Sequence, residues 1–420
     1  MKKTDLAIIG GGAAGLAAAL SASGSSLSIL VIEREKVLGG ILNQCIHNGF
    51  GLHMFKEELT GPEYANRFIE DLRRENIDVL YGTTVIDIQK KDTFLLTLTS
   101  EVHGYETLEA KAVIIASGCY ERTRGAVQLP GERPKGIMPA GSAQRYLNID
   151  GYLVGKKVFI LGSGDIGLIM ARRMTLEGAK VLGVAEIMPY SNGLTRNIVQ
   201  CLNDYDIPLF LSHTVTDIKG KNTLEQITIQ QVDEQFNPII NTEKVFDVDT
   251  LLLSIGLIPD VALFDSLKMK KSPITKSAIV DQSLMTSVEG LFICGNALHV
   301  HDLVDWVSKE GEKAGKYAKQ YLLANRINPK NSKAIVPGDH IRYVVPHEID
   351  FNNVTDDSVT LSFRVTKKMA SGTFKVIQNG EVIQMKKAKY IAPAEMESLT
   401  IKLEELKSFD PITLSLEETL

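Results

Sequence analysis

Two stretches of the chain repeat the same order of apolar and glycine positions. An apolar run at residues 5–9 precedes the loop GGGAAG at residues 10–15, and a second run at 157–161 precedes GSGDIG at 162–167. Both loops fit G-x-G-x-x-G and open a segment of helical character. In such a strand-to-helix turn the first glycine permits the bend, the second admits a pyrophosphate and the third packs the helix on the strand. The pattern therefore predicts two dinucleotide-binding turns.

An acidic residue follows each loop, at the end of the next apolar run. Glu33 follows residues 27–32, and Glu186 follows residues 179–185. A carboxylate at this position accepts hydrogen bonds from a ribose, while the N-terminus of the helix offers N–H groups to the phosphates. The alternative for each loop is a glycine-rich turn that binds no ligand. That alternative weighs more at the second loop, because such folds can keep the shape and lose the ligand.

The remaining periodicity predicts an α/β protein. A helix is expected at residues 62–75, where Tyr64, Phe68, Ile69 and Leu72 share one face. A long helix is expected from about residue 303 to Asn325. Further strands are expected at residues 79–81, 84–88, 94–98, 112–116, 250–256 and 290–296. The expected architecture is a pair of Rossmann-like dinucleotide-binding domains.

The pattern changes from about residue 338. Residues 341–345 and 359–365 alternate like half-buried strands, and Asn379-Gly380 separates two further runs, which is typical of a type I′ hairpin. This segment predicts a small antiparallel β domain with a role in packing or partner contact. The predicted domains are 1–120 together with 256–330, then 150–255, and finally 338–420.

Composition excludes several classes of protein. The 420 residues are 44% hydrophobic and 23% charged, which is ordinary for a globular enzyme. A net charge of -5 gives no electrostatic reason to expect nucleic acid. The glycine loop interrupts the first apolar run, so no signal peptide is expected, and no apolar stretch reaches the roughly 20 residues of a membrane-spanning helix. We therefore expect a cytoplasmic protein without a membrane span.

The cysteines exclude one kind of redox centre. Cys45, Cys119, Cys201 and Cys294 stand far apart, and neither C-x-x-C nor C-x-x-x-x-C occurs. A local redox dithiol is therefore excluded, and no metal site is predicted.

Further motifs carry a family resemblance. The first loop with Glu33 is similar to a site for the adenosine diphosphate of FAD, and residues 115–118 resemble an A-T-G strand end. Residues 286–296 resemble the motif T-x-x-x-x-G-hydrophobic-x-hydrophobic-x-G-D. Together these motifs resemble the pyridine nucleotide–disulfide oxidoreductase superfamily over about residues 1–325, which implies FAD at the first loop. Asn296 stands where the motif has aspartate, and Ser117 stands where threonine is usual.

The active-site disulfide of that superfamily is missing. Disulfide reductases carry a cysteine pair where residues 38–51 hold only Cys45. Thioredoxin reductase carries C-x-x-C in its NADPH domain, where residues 150–255 hold only Cys201. Disulfide reduction through an intramolecular dithiol is therefore excluded, and the flavin must pass electrons directly to another molecule.

Finer likenesses indicate two subgroups. Residues 119–122, 130–131 and 136–141 resemble the FAD subunits of bacterial amine, opine and proline dehydrogenases. Residues 39–51 and 295–305 are closer to a flavoprotein of bacterial glycerol operons. Neither likeness identifies the substrate.

The loops and the resemblance together define the predicted cofactor contacts. Glu186 favours NAD(H) over NADP(H) at the second loop, because a 2′-phosphate needs an arginine and residues 187–189 supply none. Another adenine nucleotide is the alternative there. The predicted contacts are Gly10, Gly12, Ala13, Ala14, Gly15, Glu33, Arg34, Gly40, Val85, Ser117, Gly118, Gly162, Gly164, Asp165, Ile166, Gly167, Glu186, Gly256, Gly295 and Asn296.

Four side chains are candidates for catalysis. By resemblance, Cys45 and His47 occupy the position of the redox cysteines, either as a thiolate activated by His47 or as a pocket lining. His299 and His301 precede the long helix, whose N-terminus is expected to face the pyrimidine side of the flavin ring. Each histidine either acts as a base towards an amine or alcohol, or supports the loop. Asp302 is expected to cap the helix.

These features predict a FAD-dependent oxidoreductase. Electrons would pass through the flavin between NAD(H), or a small organic donor, and an acceptor. One alternative is the flavin subunit of a glycerol-3-phosphate or amine and opine dehydrogenase, with a partner redox subunit. The other is a binding or assembly protein whose FAD is structural. The small-molecule substrate does not follow from the sequence, and a homo-oligomer is left open.

Overall fold

The computed structural model describes residues 2–75, 77–324, 329–406 and 410–418. The chain forms two compact units. The first comprises Met1–Cys119 and Pro259–Leu420, and the second comprises Tyr120–Ile258. The chain therefore leaves the first unit once and later returns to it.

The described N-terminal segment contains two α-helices and eight strands, of which the short β3 and β4 were not predicted. Its strands are β1 (Lys2–Ile9), β2 (Ile29–Ile32), β3 (Asn48–Phe50), β4 (Leu59–Thr60), β5 (Asp78–Leu80), β6 (Thr83–Lys90), β7 (Phe94–Ser100) and β8 (Gly104–Ile115), and its helices are α1 (Ala13–Ala22) and α2 (Gly61–Arg74). The helix predicted at 62–75 is confirmed as α2. It begins at a capping box between Thr60 and Glu63, which satisfies N–H groups at its start.

The second unit is built on a parallel sheet. Its elements are β9 (Cys119–Glu121), β10 (Ile137–Pro139), α3 (Ala140–Asn148), β11 (Lys157–Leu161), α4 (Asp165–Leu176), β12 (Lys180–Glu186), α5 (Thr195–Cys201), β13 (Leu209–Leu211), β14 (His213–Lys219), β15 (Gln226–Gln231), β16 (Lys244–Asp247), β17 (Thr250–Leu253) and β18 (Leu257–Pro259). The sheet order is β10-β17-β11-β12-β13. Val158 and Ile160 join one apolar cluster and Phe159 and Leu161 another, because alternate residues of β11 face opposite sides of the sheet.

The returning segment completes the first unit. It contains β19 (Leu291–Ile293), α6 (Val304–Leu323), β20 (Ser332–Pro337), β21 (Ile341–Val345), β22 (Glu348–Asp350), β23 (Ser358–Val365), β24 (Met369–Gln378), β25 (Glu381–Ile391), β26 (Glu397–Lys402) and β27 (Ile412–Glu418). The predicted end of the long helix at Asn325 lies outside the described residues. Within the described ranges, no helix is both long and apolar enough to cross a membrane.

The C-terminal β domain is confirmed. Two sheets, β22-β20-β27-β24-β25 and β21-β23-β26, enclose a core that includes Phe363 and Phe374. The predicted hairpin joins β24 to β25. Asn379 and Gly380 have φ angles of 52° and 78°, and a type I′ turn requires positive φ at both positions.

The main sheet of the first unit has the order β5-β2-β1-β8-β7-β6, with β19 beside β8. Ile9 of β1 is in register with Ile32 of β2 and Ile115 of β8. Ile115 is in turn in register with Ile293 of β19. Because these pairs are parallel, the four strands end at the same edge of the sheet.

Small residues bring α1 and α6 into close contact. A Cβ atom on Gly311 would overlap the carbonyl oxygen of Ala14, and one on Gly315 would overlap that of Ala18. Glycine at these two positions, one helical turn apart, lets the two helix backbones touch. The helix that follows the first glycine loop is therefore supported by α6.

Candidate dinucleotide sites

The common edge of the main sheet brings the predicted flavin residues together. Gly10 follows β1 and Glu33 follows β2. Ser117 and Gly118 come two and three residues after the end of β8, and Gly295 comes two residues after β19. The strand register thus places five predicted contacts at one edge of the sheet.

The glycines of the first loop serve different purposes. A Cβ on Gly10 would overlap the carbonyl oxygen of Ala116, and one on Gly15 would overlap that of Gly10. A Cβ on Gly12, by contrast, would meet nothing within 4 Å. Helix α1 begins after Gly12 without a side-chain cap and without an acidic residue in its first turn. The N-terminus of α1 therefore opens onto a space that suits a phosphate.

Glu33 is held in position by backbone N–H groups. It is only 5% exposed, and its Oε2 and Oε1 accept hydrogen bonds from the N–H groups of Gly11 at 2.7 Å and Glu35 at 2.8 Å. An ionised carboxylate accepts about four hydrogen bonds, so about two acceptor positions remain. A ribose has two adjacent hydroxyl groups to donate. The residues present therefore fit the adenosine half of FAD.

The other predicted contacts of this site surround the same edge. Gly40 lies against Gly12, and a Cβ on Gly118 would meet nothing within 4 Å. The Ser117 hydroxyl donates to the Asp260 carbonyl at 2.6 Å, so it fixes the backbone. The Thr83 N–H donates to the Glu33 carbonyl at 2.9 Å, which brings the start of β6, the strand that carries the buried Val85, beside Glu33. The Arg34 residue is exposed.

One carboxylate organises the loop between β19 and α6. Glu310 of α6 accepts from the Gly295 N–H at 2.6 Å, from His299 Nε2 at 2.8 Å and from His301 Nε2 at 3.2 Å. Burial opposes ionisation of Glu310, but the neighbouring His299 and His301 outweigh it and hold its pKa well below its usual range. Asn296 Oδ1 also accepts from the His301 N–H at 3.0 Å. Sequence reasoning missed Glu310, because no local motif connects it to the histidines.

The two histidines are enclosed by protein. His299 is 1% exposed and the His301 side chain 3%, and neither Nδ1 has a hydrogen-bond partner among the described residues. Burial lowers the pKa of His299, although Glu310 opposes the shift. A catalytic base must reach the proton that it abstracts. In this conformation the rings support the loop, and a catalytic role stays a hypothesis that requires the loop to move.

The prediction that Asp302 caps the long helix is wrong. The N-cap position of α6 is Leu303, and no side chain caps it. Asp302 pairs instead with Arg364 of β23 and accepts a hydrogen bond from the Met396 N–H at 2.6 Å. A half-buried carboxylate gains more from a guanidinium and an N–H group than from a helix start alone.

Cys45 lies in a closed environment. It is 5% exposed, its thiol donates to the Ile41 carbonyl at 3.3 Å, and burial raises its pKa to about 12. The half-buried His47 ring packs against Phe50 at a centroid distance of 5.0 Å. A thiol with this pKa is protonated at neutral pH, so the structure favours the pocket-lining interpretation over an activated thiolate.

The second loop has the same geometry with one addition. Glu186 is 3% exposed and accepts from the N–H groups of Ser163 at 2.9 Å and Met188 at 3.0 Å, as Glu33 accepts from its counterparts. The Ser163 hydroxyl also donates to Glu186, at 2.7 Å. Since a carboxylate accepts about four hydrogen bonds, about one acceptor position remains for a ribose. Cβ atoms on Gly162 and Gly167 would collide with Ser254, which follows β17.

A segment of the second unit crosses this loop. We call residues 191–197 the crossing segment. The Asn192 N–H donates to Ser163 Oγ at 3.0 Å, and the Leu194 N–H and Asn197 Nδ2 donate to Asp165 Oδ1 at 2.9 and 2.7 Å. Of the other predicted contacts, Gly164 and Ile166 flank Asp165 and are half-buried, as it is. Gly256 adopts a φ angle of 104° and accepts from the Arg122 N–H at 3.0 Å.

Known proteins share this arrangement. A family model described as pyridine nucleotide-disulphide oxidoreductase matches residues 4–314. A thioredoxin reductase of Ureaplasma parvum is 26% identical, covering 76% of this chain and 97% of its own length. The hydrogen cyanide synthase subunit HcnB of Pseudomonas aeruginosa is 24% identical, covering 80% of this chain and 72% of its own. The crystal structure of T. acidophilum thioredoxin reductase superposes with a TM-score of 0.63 at 25% identity, covering 76% of this chain and 99% of the other.

Fold and sites define a two-unit flavoprotein with a dinucleotide loop in each unit. The family model extends over well more than half of the chain, so the chain belongs to the pyridine nucleotide-disulphide oxidoreductase family. It is therefore a flavin-dependent oxidoreductase, and membership implies binding of FAD and of NAD(P). FAD supplies the redox chemistry when bound, and the protein holds and orients it.

Proposed function

We propose that this oxidoreductase passes electrons through FAD directly between NAD(H), or a small organic donor, and an acceptor, without an active-site disulfide. The observation that carries the proposal is Cys45. It stands alone in the segment where disulfide reductases carry a cysteine pair, and burial raises the pKa of its thiol to about 12. A protonated, enclosed thiol is a poor partner for electron exchange.

The two carboxylates support the assignment of the cofactors. Glu33 keeps about two acceptor positions for the ribose of FAD beside an open glycine turn. Glu186 ends β12, and no arginine stands at residues 187–189 to hold a 2′-phosphate, which favours NAD(H) over NADP(H).

Anaerobic reduction tests the proposal. The purified protein is expected to show a flavin spectrum, to bleach with NADH faster than with NADPH, and to recover colour with a small acceptor such as ferricyanide. Oxidised thioredoxin should give no turnover, and Cys45→Ser should keep wild-type turnover with ferricyanide. Turnover with oxidised thioredoxin that Cys45→Ser abolishes would show that a disulfide pathway operates instead.

A second candidate function is the flavin subunit of a multi-subunit dehydrogenase. It is supported by the likeness to HcnB, whose name identifies it as a subunit of hydrogen cyanide synthase. The C-terminal β domain, for which the sequence predicts packing or partner contact, is the candidate region for binding a partner subunit. The likeness of residues 39–51 and 295–305 to the glycerol-operon flavoprotein adds glycerol 3-phosphate to amines and opines as donors to test. Bleaching by one of these donors but not by NADH would favour this function. A flavin inert to every donor would favour a structural role.

A further inference from the structure

We propose that Arg364 of the C-terminal β domain is a positioning residue for the flavin. It holds the loop that links Gly295-Asn296 to α6, which we call the flavin loop (residues 295–303). The inference rests on the proposed FAD site and assigns the β domain a part in it. Loss of this contact should weaken FAD binding and change the flavin environment.

Arg364 connects the flavin loop to the C-terminal β domain. Its Nη2 donates to the Val300 carbonyl at 3.1 Å and pairs with Asp302 Oδ1, while its Nη1 donates to the carbonyls of Pro393 at 3.3 Å and Ala394. The Arg364 and Asp302 side chains are 13% and 15% exposed. A guanidinium presents its donors in a rigid plane, so one side chain can hold both segments at once.

The β domain touches the flavin loop at a second place. The ring of Tyr343 on β21 lies 5.9 Å from that of His299, centroid to centroid, and the two rings are nearly perpendicular. Tyr343 and Val345 belong to the apolar core of the first unit, so this strand is anchored there. The flavin loop is thus held by the β domain at His299, Val300 and Asp302.

The flavin loop depends on these contacts because it has no regular structure around them. Residues 300–302 belong to no helix or strand. Glu310 holds Gly295, His299 and His301 from the side of α6, and Arg364 holds Val300 and Asp302 from the side of the β domain. Loss of one member of a buried ion pair leaves the other charge without its partner, and the loop must then rearrange to solvate it.

Three variants test the proposal on the full chain. Arg364→Met removes the charge but keeps length, and it should raise the Kd for FAD by about tenfold or more, because the charge of Asp302 loses its partner. It should also shift the visible spectrum and the redox potential of the bound flavin. Arg364→Lys keeps the charge without the planar donors and should fall between Arg364→Met and wild type. Lys367→Met removes an exposed ion pair with Glu418 in the same domain and should leave Kd, spectrum and potential unchanged.

The outcomes distinguish failure of the proposed function from failure of the positioning role of Arg364. Wild-type protein that cannot be loaded with FAD would refute the proposed function itself. Wild-type protein that binds FAD, beside a folded Arg364→Met variant with the same Kd, spectrum and potential, would refute the positioning role alone. If Arg364→Met does not fold, Asp302→Asn replaces it, because asparagine keeps the shape and an acceptor oxygen. Wild-type Kd, spectrum and potential in Asp302→Asn would equally refute the role of the ion pair.

Discussion

Glu33 and Glu186 occupy equivalent positions in the two units but leave different room for a ribose. Glu33 directly follows β2 and Glu186 is the last residue of β12. Each accepts from the N–H of the second residue of its loop and from the N–H of the residue two positions after itself. Only Glu186 also accepts from a hydroxyl, that of Ser163. Two copies of one motif are therefore not two equal sites, because the side chain at its second position competes for the same carboxylate.

The starts of the two helices that follow the loops also differ in how far protein groups already occupy them. Helix α1 has no acidic residue in its first turn, whereas α4 begins with Asp165, which accepts two hydrogen bonds from the crossing segment. A Cβ on Gly12 of the first loop would meet nothing within 4 Å, whereas Ser163 and Asp165 of the second loop are already hydrogen-bonded to the crossing segment. We therefore expect FAD to bind tightly at the first loop and NAD(H) to bind more weakly at the second.

The largest expected effect comes from removing one carboxylate at a time. Glu33→Gln should raise the Kd for FAD about 100-fold. The substitution removes the negative charge and so weakens both the two backbone hydrogen bonds to this side chain and its hydrogen bonds to the ribose. Glu186→Gln is the matched control and should keep wild-type flavin content. The ratio of flavin to protein after gel filtration measures both. Equal loss of flavin from the two variants would contradict the contrast between the sites.

Close packing of α1 on α6 provides the second test. Gly311→Ala places a methyl group against the Ala14 carbonyl oxygen, and the resulting overpacking should lower the free energy of unfolding by about 2 to 3 kcal/mol. Flavin content should fall as well, because α1 carries the first loop. Lys309→Ala changes an exposed position on the same helix and should have little effect. Thermal unfolding followed by circular dichroism measures the stability of both variants. Wild-type stability and flavin content in Gly311→Ala would show that close contact between α1 and α6 is not required.

Lowering the pH is expected to destabilise the first unit through His347. Burial lowers the pKa of His347, in the first unit, to about 4. The unfolded chain binds this proton near pH 6.5 and the folded chain does not, so stability is lost as the pH falls from about 6.5 towards 4, by about 2 kcal/mol at pH 5.

Replacement of His347 isolates that contribution. His347→Asn keeps an acceptor for the Val280 N–H, and its free energy of unfolding should fall less between pH 7 and pH 5 than that of wild type. Urea unfolding at the two pH values, followed by probes in each unit, measures the difference. Identical pH dependence in the two proteins would remove His347 as the cause.

The smallest expected effect concerns the extra hydroxyl of the second loop. Ser163→Gly makes this position resemble Gly11 and frees one acceptor position on Glu186. A hydrogen bond gained there is worth about 1 kcal/mol, so the Kd for NADH should fall about fivefold. Titration of flavin bleaching with NADH measures this Kd. Weaker binding in Ser163→Gly would mean that the hydroxyl supports the nucleotide instead of competing with it.

The sequence patterns predicted those structural features that are determined by residues close together in the chain. The strands, both glycine turns, α2 and the Asn379-Gly380 hairpin follow from local spacing, and parallel register then aligns Gly10, Glu33 and Gly295. Contacts between distant positions were not predictable. Glu310 meets His299 across 11 residues, and Arg364 meets Asp302 across 62. The expectation for Asp302 was wrong for this reason. The start of the helix can be predicted from the sequence, but the pairing of Asp302 with an arginine of the β domain cannot.

The interrupted path of the chain has a consequence for its biosynthesis. Strand β1 and helix α1 are synthesised before α6, yet the glycines that let α1 pack closely belong to α6. At about 5–20 residues per second, the N-terminal segment waits on the order of 15–60 s for its partner helix. The second unit, which is continuous in sequence, can complete its fold during that interval. The first unit therefore cannot complete its packing until α6 has been synthesised, although its β1 and α1 are made before the second unit.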